Sequence, residues 1–382
     1  MEISKICKYI TSRIDSASLN VDNYISTENM MQNRGGVISA SKVPKENAIE
    51  FKPGDILVSN IRPYFKKIWF ADRYGGCSSD VLCIRALEGT DSVYLYYLLS
   101  QDTFFDHVMS GAKGCKMPRG DKNQIMRWEV DLPDIKEQKR IGQMLKSIDD
   151  KILLNNQINH NLEEQAQALY KSWFVDFEPF RGGNFVDSEL GLIPEGWRVG
   201  TLSEISSITM GQSPSGTSFN EVGDGIVFYQ GRTEFGSRFP SIRLYTTEPA
   251  RFAEKFSVLL SVRAPVGDIN IAKEKCCIGR GLASIHGLFQ SFVYYTVGSL
   301  KPVLNRFNGE GTVFGSINRK ELEGLKIIVP PAIIQEDFNS IVSIYDRDIY
   351  DRCSENETLC QLRDKMLPKL MSGELKINDL TC

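Results

Sequence analysis

The sequence predicts an α+β protein: two globular α/β units in tandem repeat, separated by two long antiparallel coiled-coil-like helices, with pseudo-two-fold symmetry. Two observations predict it. The first is a heptad seam over residues 136–174. Ile141, Leu145, Ile148, Ile152, Leu162, Ala166, Leu169 and Trp173 alternate in steps of four and three once Asn155 and Asn159 fill the gap. That alternation marks a helix with a stripe for a partner helix. The span has no Pro and a single Gly, Gly142. It could reach roughly 58 Å at about 1.5 Å per residue. A helix packed inside one globular domain is the plainer alternative, but such helices typically run about 8–20 residues.

The second observation is a repeat. Shifted by 197 positions, Leu132-Pro133 falls on Val329-Pro330, Gln138 on Gln335, Ile152 on Ile349, Asn159 on Asn356 and Leu162 on Leu359. The copied seam reads Phe338, Val342, Tyr345, Ile349, Arg352, Asn356, Leu359, Arg363, Met366 and Leu370. Polar residues sit mid-seam in both copies. Asn155, Asn159, Arg352 and Asn356 are therefore expected to fix the helix register. The preceding segments repeat as well: Ser59 falls on Ser261, Pro63 on Pro265, Gly114 on Gly311 and Ile3 on Leu202. Two copies are too few for a solenoid, so two-fold pseudo-symmetry is the natural arrangement.

The expected units are 1–135, a helix over 136–178, a Gly- and Pro-bearing linker over 179–196, a second unit over 197–330, a helix over 331–375 and a tail over 376–382. In the first unit, short strands surround Ile56-Leu57-Val58, Lys67-Ile68-Trp69-Phe70 and Val81-Leu82-Cys83-Ile84. The run from Ser92 to Met109 reads as one amphipathic helix capped by Ser92. WEVDLP, ending at Pro133, reads as a closing strand. Pro368 should break or bend the last turn of the C-terminal helix.

Composition narrows the function. The hydrophobic fraction of 42% suffices for real cores. A net charge of −3 excludes a generic polyanion binder, so any nucleic-acid site must be a local basic surface. The first residues lack the apolar run of a signal peptide, and no run approaches the roughly 18 apolar residues of a membrane span. The nine Cys form no CxxC pair, which argues against a disulfide framework or a metal site and for a reduced, cytoplasmic setting.

Catalytic motifs do not emerge. Asp176 to Gly183, DFEPFRGG, lacks the hydrophobic strand that precedes a methyl-donor loop. Asp134 and Glu137 mimic a PD…ExK nuclease pattern, but they begin a helix, where acids suit the dipole. No GxxxxGK[ST] loop is present, and no Cys-His or Ser-His pairing is suggested by spacing. No catalytic residue is assigned.

Basic windows are the candidate binding chemistry. In the first unit they are Arg62, Lys66 and Lys67, headed by Ser59 and interleaved with Tyr64, and then Lys113, Lys116 and Arg119. In the second they are Arg232, Arg238, Arg243, Arg263, Arg280 and Arg306. Lys and Arg on loops reach phosphates, and Arg or Asn reads base edges bidentately. A solvated charged surface is the alternative for each window; their recurrence at related places in both repeats favours a nucleic-acid site. Large apolar groups at the helix ends, Trp173, Phe174, Phe177, Phe180, Leu367 and Leu370, suggest a docking patch for partners.

The full length resembles the specificity subunit of type I restriction–modification systems. The matching stretches are IPEGWRVGTLSEI (Ile193 to Ile205), GQSPSG (Gly211 to Gly216), PDIKEQKRIGQMLKSIDDKI, ALYKSWFVDFEPF (Ala168 to Phe180) and LRDKMLPKLMSGEL (Leu362 to Leu375). The first unit departs from the pattern in lacking an EGW motif before Ile3. The resemblance implies that each globular unit is a target recognition domain reading one half of a split double-stranded DNA site. It implies that the helices set the spacing and dock two modification subunits, that restriction subunits join them, and that methyl donor, ATP and Mg belong to those partners. Two other classes stay open on the residues alone: a stand-alone nucleic-acid enzyme, and a coiled-coil scaffold that binds no DNA.

Overall fold

The computed structural model describes residues 1–308 and 315–377. Gly311 and positions 378–382 of the expected tail lie outside them. The chain forms two compact units, Met1–Asn156 with Cys353–Cys382, and Gln157–Arg352. Each therefore contains half of each long helix. The helices run over Ile135–Phe174 and Ala332–Met371, 40 residues each.

In the first unit, a four-stranded antiparallel sheet has the order Cys7–Tyr9, Val81–Ala86, Ile56–Ser59, Ile68–Phe70. Strand Ile56–Ser59 is buried along its whole length, as its uninterrupted apolar run requires. The turn before it uses Gly54 at φ +90°. Asp55 then accepts the Lys52 N–H and a bidentate contact from Arg85, so this fully buried carboxylate is not left uncompensated. A second sheet joins Arg13–Ile14, Ala48–Phe51, Gly75–Cys77 and Tyr24–Ile25, the last pair parallel.

The second unit repeats this plan. Its first sheet has the order Ser207–Met210, Leu282–His286, Val258–Ser261, Ile269–Ile271. Its second sheet contains the same parallel pairing, here between Ile226–Tyr229 and Cys276–Ile278. Small bonds recur too. The Ile3 N–H donates to the Trp128 carbonyl at 2.9 Å, and its counterpart Leu202 donates to Leu325 at 2.9 Å. Gln138 Nε2 donates to the Pro133 carbonyl at 2.9 Å, and Gln335 Nε2 to Pro330 at 2.9 Å. The paired Gln residues thus tie each long helix to the Pro that precedes it. At the first of these starts, Asp134 Oδ1 accepts the Lys136 and Glu137 N–H groups, as a helix cap does.

Local expectations change in four places. Ser92–Leu99 and Asp102–Ser110 are two helices, and Asp91 rather than Ser92 caps the first. Ser100 stops it by bonding the Tyr96 carbonyl, and Gln101 is extended. WEVDLP forms only the bridge Glu2↔Glu129, whereas the second unit pairs Arg198–Thr201 with Lys326–Val329 as true strands. Residues 179–196 hold a β-hairpin, Phe185–Ser188 with Gly191–Pro194, turned by Gly191 at φ +101°. Pro368 lies inside the last helix without ending it. One missing N–H is tolerated that close to the terminus.

In both units the two helix halves run antiparallel. In the first, Ile141 and Leu145 share a core with Met366, Leu367 and Leu370, and Asp149 pairs with Arg363 at 2.7 Å. In the second, Tyr170 and Phe174 pack on Phe338 at ring distances of 5.8 and 5.1 Å.

Candidate nucleic-acid interface

The turn between strands Ile56–Ser59 and Ile68–Phe70 carries the first basic window. Arg62 and Lys66 both adopt left-handed backbone, φ 49° and 50°, around the short turn Pro63–Phe65. Non-glycine residues rarely do so, and such strain concentrates at functional loops. Three loops are laced together here by backbone bonds. The Arg62 N–H donates to Pro118 at 2.8 Å, the Asn33 N–H to Phe65 at 2.8 Å and the Arg34 N–H to Lys66 at 3.0 Å. Bridges Ile61↔Arg119 and Lys113↔Arg119 complete the weave. Residues 30–37, 62–67 and 113–119 thus form one surface.

Its charges are partly compensated. Asp102 holds both Arg34 and Lys66, the latter at 2.8 Å, and the Lys66 hydrogen bond keeps this carboxyl below its ordinary range. Arg119 meets Asp80 at 2.8 Å, and Lys113 meets Asp121 at 3.5 Å. Lys67 Nζ donates to the Thr27 carbonyl at 2.7 Å. Burial, and then the neighbouring Arg62 charge, lowers its pKa, a repulsion that an anion would relieve. Lys116 is exposed and has no ion pair among the described residues. Tyr64 is 46% exposed, edge-on to Phe65 at 4.6 Å.

The second unit places an equivalent turn between Val258–Ser261 and Ile269–Ile271, with a cis Ala264–Pro265 bond. The bridge Arg263↔Ser316 matches Ile61↔Arg119. Arg263, Arg280 and Arg306 are exposed. Arg232 shares Asp268 with Lys301. Burial would raise Asp268, but the two cations outweigh it and hold its pKa low. Arg243 meets buried Glu234 at 2.7 Å. A phosphate at Arg232 or Arg243 must compete with these acids.

Three expectations need correction. Ser59 is 2% exposed and donates to the Ile61 carbonyl at 3.0 Å, as Ser261 does to Arg263 at 3.1 Å. These buried hydroxyls close the turns from within. Arg238 is buried at 4% exposure, pairs with Glu163 and Asp346, and lies 4.2 Å from the Tyr294 ring. It therefore ties its loop to both long helices and is not part of the exposed basic surface. Burial works against its charge, but Tyr294 and Asp346 raise its pKa on balance. The supposed docking patch is interior. Phe174 and Phe177 belong to the second unit's core, with Trp173 and Phe180 packed against it. Leu367 and Leu370 belong to the first unit's core. These helix ends spend their apolar groups on their own units.

Polar side chains meet in the helix seam. Asn155 is fully buried and donates to Glu355 and Asn356, each at 2.8 Å, and Asn356 donates to Asn156 at 2.9 Å. Arg352 meets Asp348 at 3.1 Å, and Asn159 is half-buried on the facing stretch. Among the described residues no cluster of His, Cys, Asp and Glu suits a metal, and no helix is long and apolar enough to cross a membrane.

Two like-built α/β units, each carrying a basic loop surface and mounted on paired long helices, define a class of bipartite recognition protein. The family model for the type I restriction modification DNA specificity domain matches residues 1–164 and again 194–356, so the chain belongs to that family of specificity subunits. It is 34% identical over 293 residues to a putative type I restriction enzyme MjaX specificity subunit of Methanocaldococcus jannaschii, covering 74% of this chain and 68% of that one. It is 23% identical to the HindI specificity subunit of Haemophilus influenzae, with 98% of both chains covered. The crystal structure of a type I restriction-modification S subunit from M. genitalium has the same fold, with a TM-score of 0.64 at 17% identity, covering 97% of this chain and 95% of that one.

Proposed function

We propose that the chain supplies DNA sequence specificity without catalysis, each unit reading one half of a split, asymmetric site. The observation that carries this reading is the repeated strand-turn-strand, whose basic loops are tied to neighbouring loops by backbone bonds in both units. The loops differ in sequence, so the half-sites differ. The helix pair keeps the half-sites a fixed number of unread bases apart, at least about one helical turn of 34–36 Å between centres. Two modification subunits and the restriction subunits assemble on it. Methyl donor, ATP and Mg are theirs, and the complex works in the cytoplasm. Because Trp173, Phe174, Phe177, Phe180, Leu367 and Leu370 are interior, docking falls instead to exposed helix residues such as Ile333, Ile341, Ile344, Leu153 and Leu154.

The test exchanges residues 1–135 for the matching unit of a relative, co-expresses the chimaera with its modification subunits and maps methylated sites. One half of the target should change while the spacer length stays. A change in both halves, or in neither, would overturn the two-reader model. A scaffold that binds no DNA would direct no methylation at all.

A further inference from the structure

The loop over residues 30–37 carries a feature that the basic windows do not. The Gly35 N–H donates to the Gln32 carbonyl at 3.0 Å, and Asn33 and Arg34 both have positive φ, 52° and 62°. That is a type I′ turn, closed below by the bridge Met30↔Val37. Such turns favour Asn at the first central position and Gly at the second. Here the second is Arg34, at a steric cost that only Gly would avoid.

Arg34 has a use for that position. Its Nε donates to the Ser100 carbonyl at 2.5 Å, its guanidinium pairs with Asp102, and it lies 5.8 Å from the Phe105 ring. The turn is thus anchored to helix Asp102–Ser110 by Arg34 and to the basic turn by the Asn33 and Arg34 N–H groups. The side chains of Gln32 and Asn33 stand outside this anchorage. Both are exposed, and neither side-chain amide bonds to another of the described residues. A strained turn, held from two sides, presents two solvent-facing amides beside the basic turn of Arg62, Tyr64 and Lys66.

We infer that the Gln32–Asn33 tip is a base-reading element of the first unit, with the Asn33 amide contacting an adenine edge. An amide matches adenine through N6 and N7, one group accepting and the other donating, whereas the flanking Lys and Arg serve phosphates. Fixing the tip beforehand avoids the ordering cost that a free loop would carry. The inference rests on the proposed reading of DNA by this unit, and the experiment separates the two.

The complex with modification subunits is prepared with the wild-type chain, with Gln32→Ala/Asn33→Gly and with Asn33→Asp. Glycine suits positive φ and asparate tolerates it, so the turn survives in both variants. Methylated sites are mapped and half-site oligonucleotides compete for binding. The Gly variant should lose preference at a single adenine of one half-site, a drop in discrimination of about 5- to 150-fold, with the other half and the spacer intact. Asn33→Asp should shift that position towards cytosine, whose N4 donates. An unchanged site, or a uniform loss across all sequences, overturns the inference while leaving the two-reader model standing. A wild-type complex with no split site overturns both.

Discussion

Asn155 Nδ2 donates to Asn356 Oδ1 across the helix pair at 2.8 Å, from a position with no solvent exposure. Both residues lie in the seam, where an apolar pair would pack better. A polar layer of this kind specifies register at a cost in stability. Replacing Asn155 alone with Leu strips donors from Glu355 and Asn356, so it should destabilise by about 1–2 kcal/mol. Replacing Asn155 and Asn356 together should recover that loss and raise Tm above wild type. The price of the double variant is a looser register, read by disulfide trapping between Cys pairs placed one turn apart. A double variant that melts below the single one would show that the layer stabilises rather than specifies.

Phe174 is 6% exposed and meets Phe292 at 5.0 Å and Trp197 at 5.9 Å. It therefore roofs the sheet unit beneath it. Phe174→Ala should cost about 3–5 kcal/mol, as deletion of a buried ring does. Denaturant unfolding should show the transition of the second unit moving and that of the first staying. Loss of partner binding with an unmoved transition would return this residue to the surface role that its sequence context suggested.

Buried Arg238 neutralises two half-buried carboxylates, Glu163 and Asp346. Arg238→Met leaves those carboxylates facing each other without a cation, which should destabilise by about 3–5 kcal/mol. The pH dependence has a definite sign. Two carboxylates held together without their cation repel each other, which favours protonation in the folded variant over its unfolded chain. The penalty is complete above the folded pKa and shrinks as pH falls towards the unfolded range near 4. The variant's Tm deficit against wild type should be smaller at pH 5 than at pH 8. A deficit independent of pH would mean that packing on Tyr294, and not charge, is what Arg238 supplies.

The long helices and the tandem repeat were legible because both leave periodic marks: a four-three alternation, and a constant offset shared by Gln138 and Gln335. The loops in the basic windows were legible as charge, but their fate was not. Arg238 and Arg232 look alike in sequence, and only the approach of Asp346 and Glu163 makes one of them interior. The helix-end aromatics failed for a related reason. Apolar character marks burial but not the surface that supplies it, and Trp197 and Phe292 are distant in sequence from Phe174. The Asn33–Arg34 turn escaped because its two central positive-φ positions hold Asn and Arg, and the Gly residues come only after them. An Asn-Arg-Gly-Gly run between strands was the signal available.

Lys116 and Lys66 should contribute unequally to salt dependence. Lys116 is exposed on the 113–119 loop with no acid partner among the described residues. Lys66 is already neutralised by Asp102 at 2.8 Å. A cation that meets a phosphate releases counterions, and each such contact contributes about 0.9 to the slope of log K against log salt. Lys116→Ala should weaken binding to all sequences alike and flatten the slope by roughly one. Lys66→Ala should flatten it by less, because Asp102 must first give up its partner and still holds Arg34. Binding of the complex to specific and scrambled duplexes between about 50 and 200 mM salt measures both slopes. An unchanged slope for Lys116→Ala would remove the 113–119 loop from the DNA surface. An equal change for the two variants would mean that the Lys66–Asp102 pair opens on binding, and that the acid swings away from the phosphate.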